Sequence, residues 1–237
     1  MIYVVGAFCL DIIVDGDEFL DNTSTPGRIS VRPGGVGYNI YGHIEGAKRL
    51  ITAVGNDTFS DFVRSFVSSD WGDPGDSGKI ILHSLDAPPP LYVAFMEKGE
   101  LKTAASQMDA VEQALNATTI MSELQNVNNG DIVILDANLH PVVMADVVDQ
   151  LRGRCRIIFE PISSAKAARH VEHLSDIFLL TPDRREFEVL LESTDPPDEA
   201  VLKYLGDRRI DFLLATRGKE GARLYGGGSR VDFAPNT

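Results

Sequence analysis

Tryptophan occurs once and cysteine twice in the 237 residues. Cys9 and Cys155 stand far apart, beside apolar strand-like runs, with no CxxC spacing. That argues against a disulfide scaffold or a cysteine-ligated metal and leaves two free thiols expected in the interior. No apolar run approaches the ~18 residues of a membrane span. The apolar start, MIYVVGAFCLDIIVDG, has no basic leader and is interrupted early by acids, so it reads as strand rather than signal peptide. The expectation is a cytoplasmic protein with no membrane partner. Basic residues are also scarce: 22 Lys and Arg face 35 Asp and Glu, a formal charge of −13. Without a basic stripe, long nucleic acid is not an expected partner, although a local pocket for a small anion stays open. The acidity itself speaks for solubility more than for a partner.

Several chemical signatures are missing as well. GxxxxGK[ST] is absent, so nothing sets a lysine against terminal phosphates in the Walker manner. Gly35 and Gly37 are not followed by the third glycine of a dinucleotide fingerprint, and the stretch does not directly follow the first strand, which argues against a nucleotide-dependent dehydrogenase. GxSxG is absent, which argues against a serine hydrolase. His140, His170 and His173 lack the spacing and partners of a zinc site.

What is present is an α/β pattern. The apolar share is 43% and the charged share 24%, and the length suits one elaborated α/β domain or two small ones. DIVILDA (131–137), CRIIFEP (155–161), DIFLLTP (176–182) and DFLLAT (211–216) alternate with helical patterns near 141–152, 164–174, 183–192 and 198–206. That is the rhythm of βαβ units around parallel strands buried on both faces. The strands end at Asp136 with Asn138, at Glu160, and at Thr181 with Asp183. Ligands of open parallel sheets bind beyond such carboxyl ends. MIYVVGAF and LITAVG read as two further core strands. RISVRP, KIILHS, LYVAFMEK and LKTAAS read as a small secondary sheet, a natural lid to exclude water. DWGDPGDSG (70–78) reads as a loop or hinge.

The stretch VRPGGVGYNIYGHIEGA (31–47) places Gly34, Gly35 and Gly37 just before and within the start of a helix expected to run to about Ala47. Two readings stand side by side. The glycines make a tight turn before an N-terminal helical Asn39, or they let backbone approach a ligand that free N–H groups and Asn39 would hold. Asp183 and Glu186, one turn apart at a helix start, likewise either complement the helix dipole or present carboxylates to a hydrated metal and phosphates. Thr216, Gly218 and Gly221 make either a strand-ending turn or a close approach to a ligand, and Lys166 is either a solvated helix residue or a pocket cation.

These segments, in order, resemble the signatures of the ribokinase-like (PfkB) family of carbohydrate and nucleoside kinases. GG-x-x-x-N at 34–39 is followed by ITAVGNDTFSDF. Asp11 follows the first strand, TP-D-x-x-E holds Thr181, Pro182, Asp183 and Glu186, and ATRGKEGA (215–222) resembles the nucleotide-side TxGxxG. Within the family, LDANLHP (135–141), EPISSAKA (160–167), LLTPDRREFEVL (179–190) and the MDA at 108–110 are similar to the pseudouridine kinase subfamily. The resemblance implies a three-layer α/β/α fold with a mostly parallel sheet and a small β-sheet lid, in a single domain over 1–237, with lid strands within about 11–33 and 79–105. It implies ATP and Mg²⁺ as cofactors and a sugar or nucleoside as acceptor, pseudouridine by subfamily. Asp11, Gly34, Gly35, Asn39, Asn138 and Lys166 would bind the acceptor, and Thr216, Gly218 and Gly221 the nucleotide. Asp183 and Glu186 would reach the metal through water or phosphate, and the lid strands would also suit a homodimer.

Two departures stand out. Asp183 occupies a position where the family usually has Asn, adding a negative charge. No GAGD segment, the family's anion hole and catalytic base, occurs in the 237 residues. The sequence-level expectation is therefore a C-terminally incomplete kinase with no catalytic residue of its own in this stretch. The alternative is a non-catalytic sugar- or nucleoside-binding protein on the same fold.

Overall fold

The computed structural model describes residues 1–69 and 78–235, without the side chains of 68 and 69. The expected hinge at 70–78 lies outside the described residues except for Gly78. The chain divides into two compact units, Gly6–Leu115 and the remainder, Met1–Val5 with Asn116–Thr237. Strand β1 (Ile2–Val5) belongs to the second of these.

The Gly6–Leu115 unit contains β2 (Cys9–Gly16), β3 (Arg28–Gly34), α1 (Val36–His43), β4 (Lys48–Val54), α2 (Thr58–Ser69), β5 (Gly78–Ser84), β6 (Leu91–Glu97), β7 (Glu100–Gln107) and α3 (Asp109–Ala114). Strands β3, β2, β6 and β7 form a small sheet in that order. β2 runs antiparallel to β3 and parallel to β6, which runs antiparallel to β7. KIILHS, expected in this small sheet, is instead β5 and pairs in parallel with β4. The reason lies in the connection: a parallel neighbour needs a crossover, and the segment holding α2 supplies one, whereas the tight KGE turn fits only the antiparallel β6–β7 hairpin. α1 ends at His43 rather than near Ala47, because Ile44 is already extended and Gly46, at φ 83°, turns the chain into β4.

The other unit adds to β1 the elements α4 (Ala117–Glu123), β8 (Ile132–Asp136), α5 (Pro141–Leu151), β9 (Arg156–Glu160), α6 (Ser164–His170), β10 (Leu179–Leu180), α7 (Arg184–Leu191), α8 (Asp198–Arg208), β11 (Phe212–Thr216), β12 (Ala222–Gly226) and β13 (Ser229–Phe233). Its strands follow the order β13-β12-β11-β10-β9-β8-β1. β1, β8, β9, β10 and β11 are mutually parallel, and β12 and β13 close the edge antiparallel. Val4, Val5, Val133, Leu135, Phe159, Leu180 and Leu213 are fully buried, as runs apolar on both faces require. DIFLLTP yields only the two-residue β10. Asp176 at φ 58° precedes it and Pro182, with no N–H to donate, follows it.

Cys9 is buried, but Cys155 is only half-buried, at the start of β9. It is still shielded enough that desolvation pushes its thiol up to about 11, despite nearby Arg154. Among the described residues no helix is long and apolar enough to cross a membrane.

Candidate functional site

In the Gly6–Leu115 unit, cross-strand register sets Asp11 on β2 between Arg32 on β3 and Tyr92 on β6. The Asp11 carboxylate takes the space beside Gly34: a Cβ there would lie 2.1 Å from it. Burial raises the Asp11 carboxyl above its ordinary value, opposed by the Cys9 thiol, 3.4 Å away, and by Arg32. The other two glycines are occupied by the chain itself. At Gly35, φ 94°, a Cβ would meet the Ala7 carbonyl oxygen at 2.5 Å, and at Gly37 it would meet Gly6 and Ala7 at 3.0–3.1 Å. Ala7 O accepts from Tyr38 N at 3.1 Å, so the glycines first of all let the Gly6–Ala7 backbone cap α1. Phe8 stacks on Tyr38 with centroids 4.2 Å apart. Asn39, in the first turns, leaves its side-chain amide exposed, with no hydrogen bond among the described residues.

In the other unit, the carboxyl ends of β8 and β9 carry a polar group. Asp136, fully buried, accepts from Asn138 N at 3.0 Å. Asn138 Oδ1 accepts from the Lys166 ammonium across from α6, so the structure brings together these two sequence-predicted residues. Glu160 accepts from the Thr181 hydroxyl at 2.6 Å and from Ile162 N at 3.3 Å. Burial raises its carboxyl, opposed by those two hydrogen bonds, and Asp136 and Asp183 add to the rise. Ile162 itself stands at φ 69°, a left-handed conformation costly for a β-branched residue.

Asp183 and Glu186 are also brought together, by helix capping. Asp183 Oδ1 accepts from Glu186 N at 2.8 Å and Glu186 Oε2 accepts from Asp183 N at 2.7 Å, a reciprocal capping box that satisfies two orphan donors of α7. Burial pushes the Glu186 carboxyl up to about 7, with Asp183 and Glu160 adding to the rise. Thr216 bridges to Asp183, its N–H donating to Pro182 O at 2.9 Å. A Cβ on Gly218, at φ 54°, would meet no atom within 4 Å, whereas a Cβ on Gly221, at φ 86°, would lie 2.0 Å from the Phe233 carbonyl oxygen. Gly221 is thus required by the β12–β13 edge. Among the described residues no group of three or more His, Cys, Asp or Glu is placed to hold a metal ion. Asp183 and Glu186 fit Mg²⁺ only in its usual manner, through one or two carboxylates with waters and phosphates completing the shell.

The profile of pfkB family carbohydrate kinases matches residues 1–237. The chain belongs to the pfkB family. Pseudouridine kinase of Escherichia coli (strain K12) is 24% identical over 200 residues, covering 80% of this chain and 60% of that protein. A pseudouridine-metabolizing bifunctional protein of Schizosaccharomyces pombe is 29% identical over 97 residues, 40% of this chain and 12% of that protein. The match thus spans less than two thirds of the length of either relative. Ribokinase from Thermotoga maritima superposes with a TM-score of 0.81 at 20% identity, covering 100% of this chain and 78% of that one. Ribokinase from Giardia lamblia gives 0.81 at 16% identity, covering 99% and 76%. The pfkB-family chain has the ribokinase-like α/β fold: a large, mostly parallel sheet with helices and a second, small sheet.

Three features of this pfkB-family chain escaped the sequence reading. Arg32 and Tyr92 flank Asp11 only through strand register, which no local pattern announces. Arg184, Arg217 and Arg223 surround a hollow with the stacked rings of Phe187 and Tyr225. Their guanidiniums are held by Glu188, Glu220 and Asp232. His170, set aside as a zinc ligand, is fully buried with a contact at each ring nitrogen.

Proposed function

We propose that this protein is an ATP-dependent kinase phosphorylating a hydroxyl of a nucleoside, with pseudouridine as the acceptor. The observation that carries the proposal is the Asp11–Gly34 niche, a carboxylate seated against a glycine of the GG-x-x-x-N segment in a chain that matches the family along its whole length. The pseudouridine assignment is supported by the two curated relatives, whose names place them in pseudouridine metabolism.

In this reading Asp11 accepts hydrogen bonds from acceptor hydroxyls and Asn39 both donates and accepts, while Gly34 and Gly35 form the floor beneath the sugar. In the other unit, Asn138 and Lys166 offer an amide and an ammonium as acceptor-binding groups. Thr216 and Gly218 lie at the nucleotide, with Gly221 setting the turn that holds them. ATP supplies the phosphoryl group, and Mg²⁺ supplies charge neutralisation on its phosphates. Asp183 and Glu186 would hold the ion's water shell, with the oxygens that the capping box leaves over. Fixing the hydroxyl and the phosphates in line is the larger part of catalysis in this chemistry, and these side chains serve positioning.

The small sheet would act as a lid. Its second face, opposite Asp11 in the strand alternation, carries Ile12, Val14, Ile29, Val31, Val93 and Phe95. Ile29 and Val31 are 66% and 48% exposed, so this face suits a second copy of the chain. A dimer mass that Val31→Asp reduces to a monomer is expected, and a monomeric native protein would refute this part.

The function is tested by equilibrium titration with pseudouridine, uridine, ribose and fructose 6-phosphate. Selective, saturable binding of pseudouridine that Asp11→Asn weakens is expected. Equal or absent binding of all four would refute the substrate assignment.

A further inference from the structure

Behind the Asn138–Lys166 contact lies a histidine for which the proposed function has no use. His170 is the last residue of α6 and has no exposed surface. Its Nδ1 lies 2.8 Å from the Lys166 carbonyl oxygen and its Nε2 3.1 Å from the Leu139 carbonyl oxygen. The first carbonyl belongs to the residue whose ammonium meets Asn138. The second belongs to the residue immediately after Asn138. The ring also packs against Phe159 of β9, with centroids 5.2 Å apart.

We infer that His170 is a positioning residue that ties α6 to the loop after β8, so that the Lys166 ammonium and the Asn138 amide meet in one fixed geometry. The inference rests on reading that pair as part of the acceptor site. The physical argument is the cost of burying polar groups. A carbonyl shut away from water needs a donor, and one rigid imidazole spans two carbonyls on different elements. An aliphatic side chain of similar size would fill the space but leave the Leu139 carbonyl without this donor. Each element would then settle separately, and the amide–ammonium contact would lose its register. A neutral ring has only one N–H. The contact that joins α6 to the loop after β8 is the one between Nε2 and the Leu139 carbonyl oxygen, so the ring acts as a tie in its Nε2–H form. Burial, the largest influence, holds the imidazole below its ordinary value, Arg169 and His173 on its own segment act in the same direction, and the two carbonyls oppose them.

The test compares His170→Leu with His170→Gln, whose amide nitrogen can still donate, and with Lys166→Met. In a coupled assay of the full protein, His170→Leu is expected to raise KM for pseudouridine about tenfold while KM for ATP and kcat stay within about twofold. His170→Gln should recover most of that loss. The double variant His170→Leu/Lys166→Met should be no worse than Lys166→Met alone, because one residue acts through the other. Additive losses, an unchanged acceptor KM in His170→Leu, or an equal rise in both KM values would overturn the inference. The side-chain amide resonance of Asn138 gives a readout independent of substrate. His170→Leu is expected to shift it in the direction that Lys166→Met does, and an unmoved resonance would overturn the inference even if pseudouridine proved not to be the acceptor. If His170→Leu does not fold, the same comparison is made with His170→Gln and His170→Asn. The wild-type ring must then show a single slowly exchanging Nε2–H at neutral pH, and a ring proton on Nδ1 or in fast exchange with water would overturn the inference.

Discussion

Asp11 and Gly34 share one niche: the carboxylate of the first lies 2.1 Å from where a Cβ of the second would be. Gly34 does not have a positive φ, so alanine there strains no backbone, and the three atoms nearest its Cβ all belong to the movable Asp11 carboxylate. Gly34→Ala should therefore leave the fold intact, with a stability change within about 1 kcal/mol, and turn the Asp11 carboxylate away from its present position. Pseudouridine affinity is expected to fall about 10- to 100-fold, as in Asp11→Asn. Titration calorimetry beside a melting curve checks both halves of the claim.

Gly221 provides the contrasting case. Its neighbour is the Phe233 carbonyl oxygen, which is backbone, and its φ of 86° disfavours any side chain. Gly221→Ala should cost about 1–3 kcal/mol by strain at the β12–β13 edge. A melting temperature lowered by several degrees is expected, and an unchanged one would show that the edge relaxes freely.

Glu186 links stability to pH. Its carboxyl titrates at about 7 in the fold against an ordinary 4.5, so the unfolded chain releases this proton first. The neutral carboxyl's contribution is fully present below about pH 4.5 and is lost as pH rises through 7, at most about 3 kcal/mol. Glu186→Gln keeps an oxygen for the Asp183 N–H and cannot ionise. The melting temperature of the variant relative to wild type should therefore rise between pH 5 and pH 8. A constant difference across that range would contradict the buried ionisation.

Lys166 is expected to act on the acceptor alone. Lys166→Met should weaken pseudouridine binding about tenfold and leave nucleotide binding unchanged, since an ammonium bonded to an amide contributes on the order of 1–2 kcal/mol. Fluorescent-nucleotide titration and pseudouridine calorimetry separate the two.

The parallel strands of the second unit were legible because their apolar runs are buried on both faces and separated by helical spacing. β5 was not, since a short apolar strand gives no sign of its partner and only the crossover through α2 decides it. β10 was overestimated because the hydrophobic run Ile177–Leu180 is longer than the two residues that pair as a strand between Asp176, at φ 58°, and Pro182. Asp183 and Glu186 are joined as their one-turn spacing suggests, whereas the contact of Asn138 with Lys166 comes from the fold, which brings together residues on two different elements. The glycines at 34–37 left a tight turn and a ligand approach open, and the structure shows that the space a side chain would need at Gly35 and Gly37 is taken by the chain's own Gly6–Ala7 backbone. Arg32, Tyr92 and His170 stayed hidden, as their relation to the site depends on strand register and on carbonyl groups that carry no sequence signal.

The most direct test of the proposed function is ADP release from Mg²⁺–ATP by the protein carrying this chain, measured with and without pseudouridine. Turnover that requires pseudouridine and is lost in Asp11→Asn is the expected result. Saturable pseudouridine binding with no ADP release above the ATP-only rate would contradict the kinase and leave a binding protein on the same fold.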